Sequence, residues 1–120
     1  MLVRYRYKYG IDLPPEASIG KGFYIGHFGG IFINGNAVLG DGCNISQDVT
    51  IGYHNGGSPK IGSGVYFAPG SKVFGPITIG NNVAIGANSV VNKTVPDNAI
   101  VVGIPGEVKS LNGNRKTANQ

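Results

Sequence analysis

From Ile61 onward every sixth residue is apolar, through Phe67, Val73, Ile79, Ile85 and Val91. Four places after each leading residue stands a small or β-branched one: Val65, Ser71, Ile77, Val83 and Ser89. The same frame runs earlier through Ile33, Leu39, Ile45 and Ile51, with Ala37, Cys43 and Val49 at the fourth offset. A third run, Leu13, Ile19 and Ile25, is displaced from that frame by two residues. A period of six matches neither the helical repeat of about 3.6 nor strand alternation. It fits a coil in which each hexad is one short strand and one bend, with the leading side chain pointing inward. No single hexad can bury its own apolar face, so stacked coils must build a shared core.

Composition supports the same reading. Glycine makes up 21 of 120 residues, more than twice the usual share of about 7%. It directly follows several leading residues, as in Ile61-Gly62, Ile79-Gly80 and Ile85-Gly86, where it permits the bend. Glycine and β-branched residues disfavour helix. The expectation is an all-β solenoid forming one domain over residues 11–108. A short N-terminal strand at 1–10 precedes it and a C-terminal tail at 109–120 follows.

Two interruptions stand out, because insertions in a solenoid become loops. The gap from Ile51 to Ile61 is ten, so the loop at 52–59, "GYHNGGSP", carries four extra residues. The gap from Ile25 to Ile33 is eight, and its two extra residues fall within "GHFGGIF". Both histidines of the chain, His27 and His54, lie in these breaks.

The ends of the chain are basic. "RYRYKY" at 4–9 and "KSLNGNRK" at 109–116 hold six of the ten Lys and Arg residues, and the net charge is +4. An aromatic-interleaved basic segment suits nucleic acid. Alternation of Val3, Tyr5, Tyr7 and Tyr9 with Arg4, Arg6 and Lys8 suits an edge strand instead. No basic patch continues through the body, so no nucleic-acid partner is expected. Cys43 is the one cysteine and falls at a fourth-offset position, which reads as a small buried residue. No apolar run approaches a membrane span, so no membrane insertion and a cytoplasmic location are expected.

These motifs resemble the hexapeptide-repeat acyltransferases, in particular the serine O-acetyltransferases and bacterial polysaccharide O-acetyltransferases. The family's Asp-Ile-His-Pro-x-Ala-x-Ile-Gly segment is echoed by "DLPPEASIG" from Asp12. Its catalytic His-x-x-Gly is echoed by His27 to Gly30, at the same 15-residue spacing from Asp12. "DVTIG" (48–52), "SPKIGSGV" (58–65) and "IGANSVVNKTVPDNAIVVGIPGEV" (85–108) also align. The resemblance implies a left-handed parallel β-helix and acetyl transfer from acetyl-CoA, the co-substrate, to a hydroxyl. An alcohol is a poor nucleophile, and histidine titrates in the range needed to take its proton. The resemblance makes His27 that general base and Asp12 the carboxylate that orients it. It also implies coenzyme contacts from Pro69, Ser71, Ala87 and Lys93, and a homotrimer with active sites between subunits.

The acceptor is less well marked. The family loop ends in Arg-His, which helps hold the serine carboxylate, and here those places are Gly57 and Ser58. The Asp before the catalytic His is Gly26, and no helical N-terminal domain precedes the repeats. These departures favour a sugar hydroxyl, that of a cell-surface glycan or its precursor, read against aromatic groups such as Phe28, Tyr53 or Tyr24. Serine is the alternative, and a non-catalytic β-helix scaffold is a second one. His54 is either a contact to substrate or coenzyme, or an exposed loop residue. The carbonic anhydrases built on this helix use three histidines per zinc site; this chain has two, so no metal is expected.

Overall fold

In the computed structural model of the chain, the described residues are 11–12, 16–26 and 29–111, with the backbone alone described at Ile11 and Asp12. The expected strand at 1–10 lies outside them. The first coil contributes β1 (Ile11–Asp12), β2 (Ser18–Ile19) and β3 (Tyr24–Ile25), and the second β4 (Ile31–Ile33), β5 (Val38–Leu39) and β6 (Asn44–Ile45). The third holds β7 (Thr50–Gly52), β8 (Lys60–Ile61) and β9 (Tyr66–Phe67), and the fourth β10 (Lys72–Phe74), β11 (Thr78–Ile79) and β12 (Ala84–Ile85). The last turn adds β13 (Val90–Val91) and β14 (Ile100–Val102), and β15 (Glu107–Ser110) closes the chain of elements. No helix occurs among the described residues, so none there is long and apolar enough to cross a membrane.

Stacking the coils makes three walls. The first orders β1-β4-β7-β10-β13, the second β2-β5-β8-β11, and the third β3-β6-β9-β12-β14-β15. Every pairing is parallel except β14 with β15, which is antiparallel. A regular coil advances the register by three hexads, as from Ile33 to Ile51 or Ile61 to Ile79. The insertion before β4 lengthens one coil by two residues, and the one after β7 lengthens the next by four. The final coil is two residues short: Val95 pairs with Ile79 and Val101 with Ile85.

The leading residues form the core. Ile33, Leu39, Ile45, Ile51, Ile61, Phe67, Val73, Ile79, Ile85 and Val91 are all at most 4% exposed. Burying such a side chain stabilises the fold by about 1.5–3 kcal/mol relative to leaving it in water. Cys43 is fully buried at its fourth-offset place, and its Sγ donates to the Gly62 carbonyl at 3.3 Å.

One corner is tied by a ladder of side chains. The Lys21 N–H donates to Asp41 Oδ1 (2.8 Å), and the Asp41 N–H to Ser63 Oγ (3.1 Å). The Ser63 N–H donates to Asn81 Oδ1 (2.8 Å), and the Asn81 N–H to Asp97 Oδ1 (2.7 Å). Each rung satisfies a backbone donor that the bend would otherwise leave open. The glycine before each rung is required by crowding: a Cβ on Gly40 would stand 2.7 Å from the Gly62 carbonyl carbon.

The two ends differ from the middle. Ala17, Ile19, Phe23 and Ile25 of the first coil are only partly buried against the core. At the other end β15 runs to Ser110, so the boundary expected between 108 and 109 falls inside a strand. That strand pairs with β14 and leaves Val108 and Leu111 exposed.

Candidate active site

Both insertions border the first wall. The one after β7 folds into a small hairpin of its own. The His54 N–H donates to the Gly57 carbonyl (2.9 Å) and the Gly57 N–H to the His54 carbonyl (3.1 Å). Asn55 and Gly56 turn the corner with φ of 48° and 86°. Positive φ at both central residues is what a tight two-residue hairpin needs, and Asn-Gly is its preferred pair.

The hairpin overhangs a cleft of about 530 Å³ on the outer face of the first wall. Strand alternation sends the core residues Ile33, Ile51 and Val73 inward and turns Phe32, Thr50 and Phe74 outward to line the cleft. Asn34, Tyr53 and His54 complete the lining with polar atoms. The His54 ring meets Phe74 edge to face, with centroids 6.0 Å apart and planes at 74°. Such an aromatic contact holds the imidazole in place. Asn34 Oδ1 accepts the Ser58 hydroxyl (2.8 Å) and the Asn36 N–H (2.9 Å), which joins the loop to β4.

Asp12 enters the same wall at its edge, where β1 pairs with β4 and Asp12 lies opposite Phe32 in the register. His27 and Phe28 lie outside the described residues. The chain is fastened on either side of them: the Gly26 N–H donates to the Ile45 carbonyl and the Asp48 N–H to the Gly29 carbonyl, both at 2.9 Å.

The expected coenzyme residues separate into groups. Pro69 and Ala87 stack on the corner that leads into the first wall, where the Asn88 N–H donates to the Pro69 carbonyl (3.0 Å). Lys93 is exposed and follows β13, at the opposite end of that wall. Ser71 is fully buried, and its Oγ lacks a hydrogen-bond partner. Its side chain faces the core and offers a ligand no surface, a correction that follows from its fourth-offset position. Gln47 belongs to the same corner as Pro69, since the Gly70 N–H donates to the Gln47 carbonyl (3.0 Å), and its Oε1 is buried without a partner. The sequence signal for Gln47 is the match of "SQD" (46–48) to "APG" (68–70), one long coil later.

Phe32, Asn34, Thr50 and Phe74 join the lining although no motif in the sequence singles them out as site residues. Their signal was alternation: Phe32 and Asn34 adjoin the leading residue Ile33, Thr50 adjoins Ile51 and Phe74 adjoins Val73, three leading residues that share one register. Among the described residues no group of three or more metal-ligating side chains occurs. The cleft offers an imidazole, a phenol, an amide and a hydroxyl above an aromatic floor. Such a lining suits a small polar molecule.

Residues 58–93 match the family of bacterial transferase hexapeptide repeats, described as six repeats. The chain is 43% identical over 114 residues to a serine acetyltransferase of Staphylococcus aureus, covering 92% of this chain and 54% of that protein. It thus spans about half the length of the curated relatives it matches. Among solved structures, the serine acetyltransferase of Neisseria gonorrhoeae in complex with serine superposes with a TM-score of 0.80 at 38% identity. The match covers 84% of this chain and 43% of the other. A serine acetyltransferase in complex with CoA matches with a TM-score of 0.78 at 36% identity, over 82% of this chain and 41% of that one. These relatives overturn the expectation of a glycan acceptor. That expectation rested chiefly on Gly26, Gly57 and Ser58 standing where the family carries charged or polar partners, local departures set against similarity that runs the length of the solenoid.

Proposed function

For a chain that belongs to the hexapeptide-repeat acyltransferase family, we propose acetyl transfer from acetyl-CoA to the hydroxyl of serine. The single observation that carries this reading is the register of Asp12 opposite Phe32, at the edge of the cleft that the inserted loop overhangs. His27 is the general base. Its imidazole takes the hydroxyl proton as the serine oxygen attacks the thioester carbonyl. The C–O bond forms, the C–S bond breaks, and the proton passes to the departing thiolate. Asp12 accepts a hydrogen bond from the second ring nitrogen, which fixes the tautomer and stabilises the imidazolium. No enzyme serine is acylated. The pantetheine arm lies along the corner of Pro69 and Ala87, where small side chains permit close approach to the backbone. Sites of this kind are shared between subunits of a homotrimer; a monomeric mass in sedimentation would remove that part of the reading.

The test is release of free thiol from acetyl-CoA with and without serine, wild type against His27→Ala. Removing a general base costs roughly 10²–10⁴-fold in rate. A serine-dependent rate that falls by that factor supports the assignment. Equal rates for the two proteins would sink it.

A further inference from the structure

A bound serine brings a carboxylate as well as a hydroxyl, and a carboxylate taken into a cleft needs hydrogen-bond donors in place of water. The donors available there are few. Lys72 stands on the same wall, but its Nζ is held by the carbonyls of Asp48 (2.5 Å) and Gly70 (3.1 Å), and its side chain does not line the cleft. Lys60 lies beyond the hairpin, in a separate hollow of about 360 Å³ with Asn36, Pro76 and Thr78. Gly57 has no side chain, and a Cβ there would stand 2.6 Å from Pro76 Cβ. The Ser58 hydroxyl is committed to Asn34. Among the described residues, neither lysine nor arginine lines the cleft.

His54 remains. It is the one described side chain of the lining able to carry positive charge, it is exposed, and the turn and Phe74 both fix it. An imidazole keeps at least one N–H to donate in either protonation state. Asp12 lies two strands from β7 in the first wall, a backbone distance of about 10 Å at the usual strand spacing. A carboxylate is repelled from the Asp12 end and drawn toward the His54 end. From this juxtaposition we infer that His54 binds the carboxylate of the acceptor and so sets the preference for an amino acid over its uncharged analogues. Tyr53 and the Asn34 amide supply neutral contacts beside it. The inference rests on the serine reading above and names the residue that performs its recognition.

The experiment compares kcat/KM for L-serine and for serinamide, which keeps the hydroxyl and amine but has no carboxylate. Wild type, His54→Phe and His54→Lys are each assayed by thiol release. Wild type is expected to prefer serine by roughly tenfold or more, the scale of one hydrogen bond to a charged group. In His54→Phe the preference falls to near one, and in His54→Lys it is retained. Thermal melts confirm that the loop variants are folded, and His54→Gln serves if the Phe variant is not, its preference falling below that of wild type. A wild type without preference, or a His54→Phe protein that keeps it, overturns this inference and leaves serine acetylation standing. Transfer to neither acceptor overturns both.

Discussion

Two kinds of glycine share the laddered corner, and they differ in what they tolerate. Gly62 is there because a coil passes above it: a Cβ would lie 2.9 Å from the Gly80 carbonyl carbon and oxygen. Gly42 has open space around its Cβ direction but a φ of 69°. In later coils its place is taken by Asn82 and Asn98, with φ of 57° and 63°. Gly62→Ala should therefore cost roughly 1–3 kcal/mol by overpacking. Gly42→Asn should be close to neutral, since asparagine accepts the left-handed conformation. Urea unfolding of both variants checks the pair, and equal losses would mean that backbone conformation alone governs the corner. Ser71 shows how much of this scale was legible. The repeat frame put it at the same offset as Val65 and Val83, hence inside the coil, while resemblance alone made it a ligand contact. The break in period marks the position of His27, but the roles proposed for His27 and Asp12 come from resemblance alone, because hexad spacing assigns no task to a residue outside it.

At the level of elements, the sequence located the inserted loop but not its shape. The break in period marks residues 52–59, and Asn55-Gly56 within it is a strong hairpin signal that is independent of the sixfold spacing. The contracted last coil was hidden for a different reason. Val95 stands four places after Val91, where a fourth-offset residue belongs, yet it pairs with the leading residue Ile79. One apolar residue satisfied two frames, and only the strand register decides between them. The turn is also where the loop is most open to change. Replacing both Asn55 and Gly56 with alanine asks two L-residues to hold positive φ, at about 1–2 kcal/mol each. The walls do not depend on this turn, since β7 and β8 keep their partners on either side. The expected result is a melting temperature within a few degrees of wild type and a KM for serine raised several-fold, read by the thiol assay. A large loss of melting temperature with unchanged KM would contradict it.

Across the whole molecule, stability is expected to grade along the solenoid axis, because each coil touches only its neighbours. Middle coils bury their leading residues completely, while Ile19, Phe23 and Ile25 of the first coil remain partly exposed. The backbone hydrogen bonds themselves are alike: Tyr24 N–H to Cys43 and Tyr66 N–H to Val83 are both 2.9 Å. Amides of Tyr24 and Gly26 should then exchange at least roughly tenfold faster than those of Tyr66 and Ala68. Uniform protection along the axis would mean that the coils open as one cooperative unit. The architecture as a whole was the most legible feature, since a repeated inward side chain leaves few other ways to bury itself. The inserted loop has a further consequence. Ile51 and Ile61 keep their rungs whatever lies between them, so the segment is a cartridge that can be exchanged without rewriting the scaffold. If His54 sets acceptor preference as inferred above, grafting residues 53–58 onto another solenoid of the same register should carry that preference along with them.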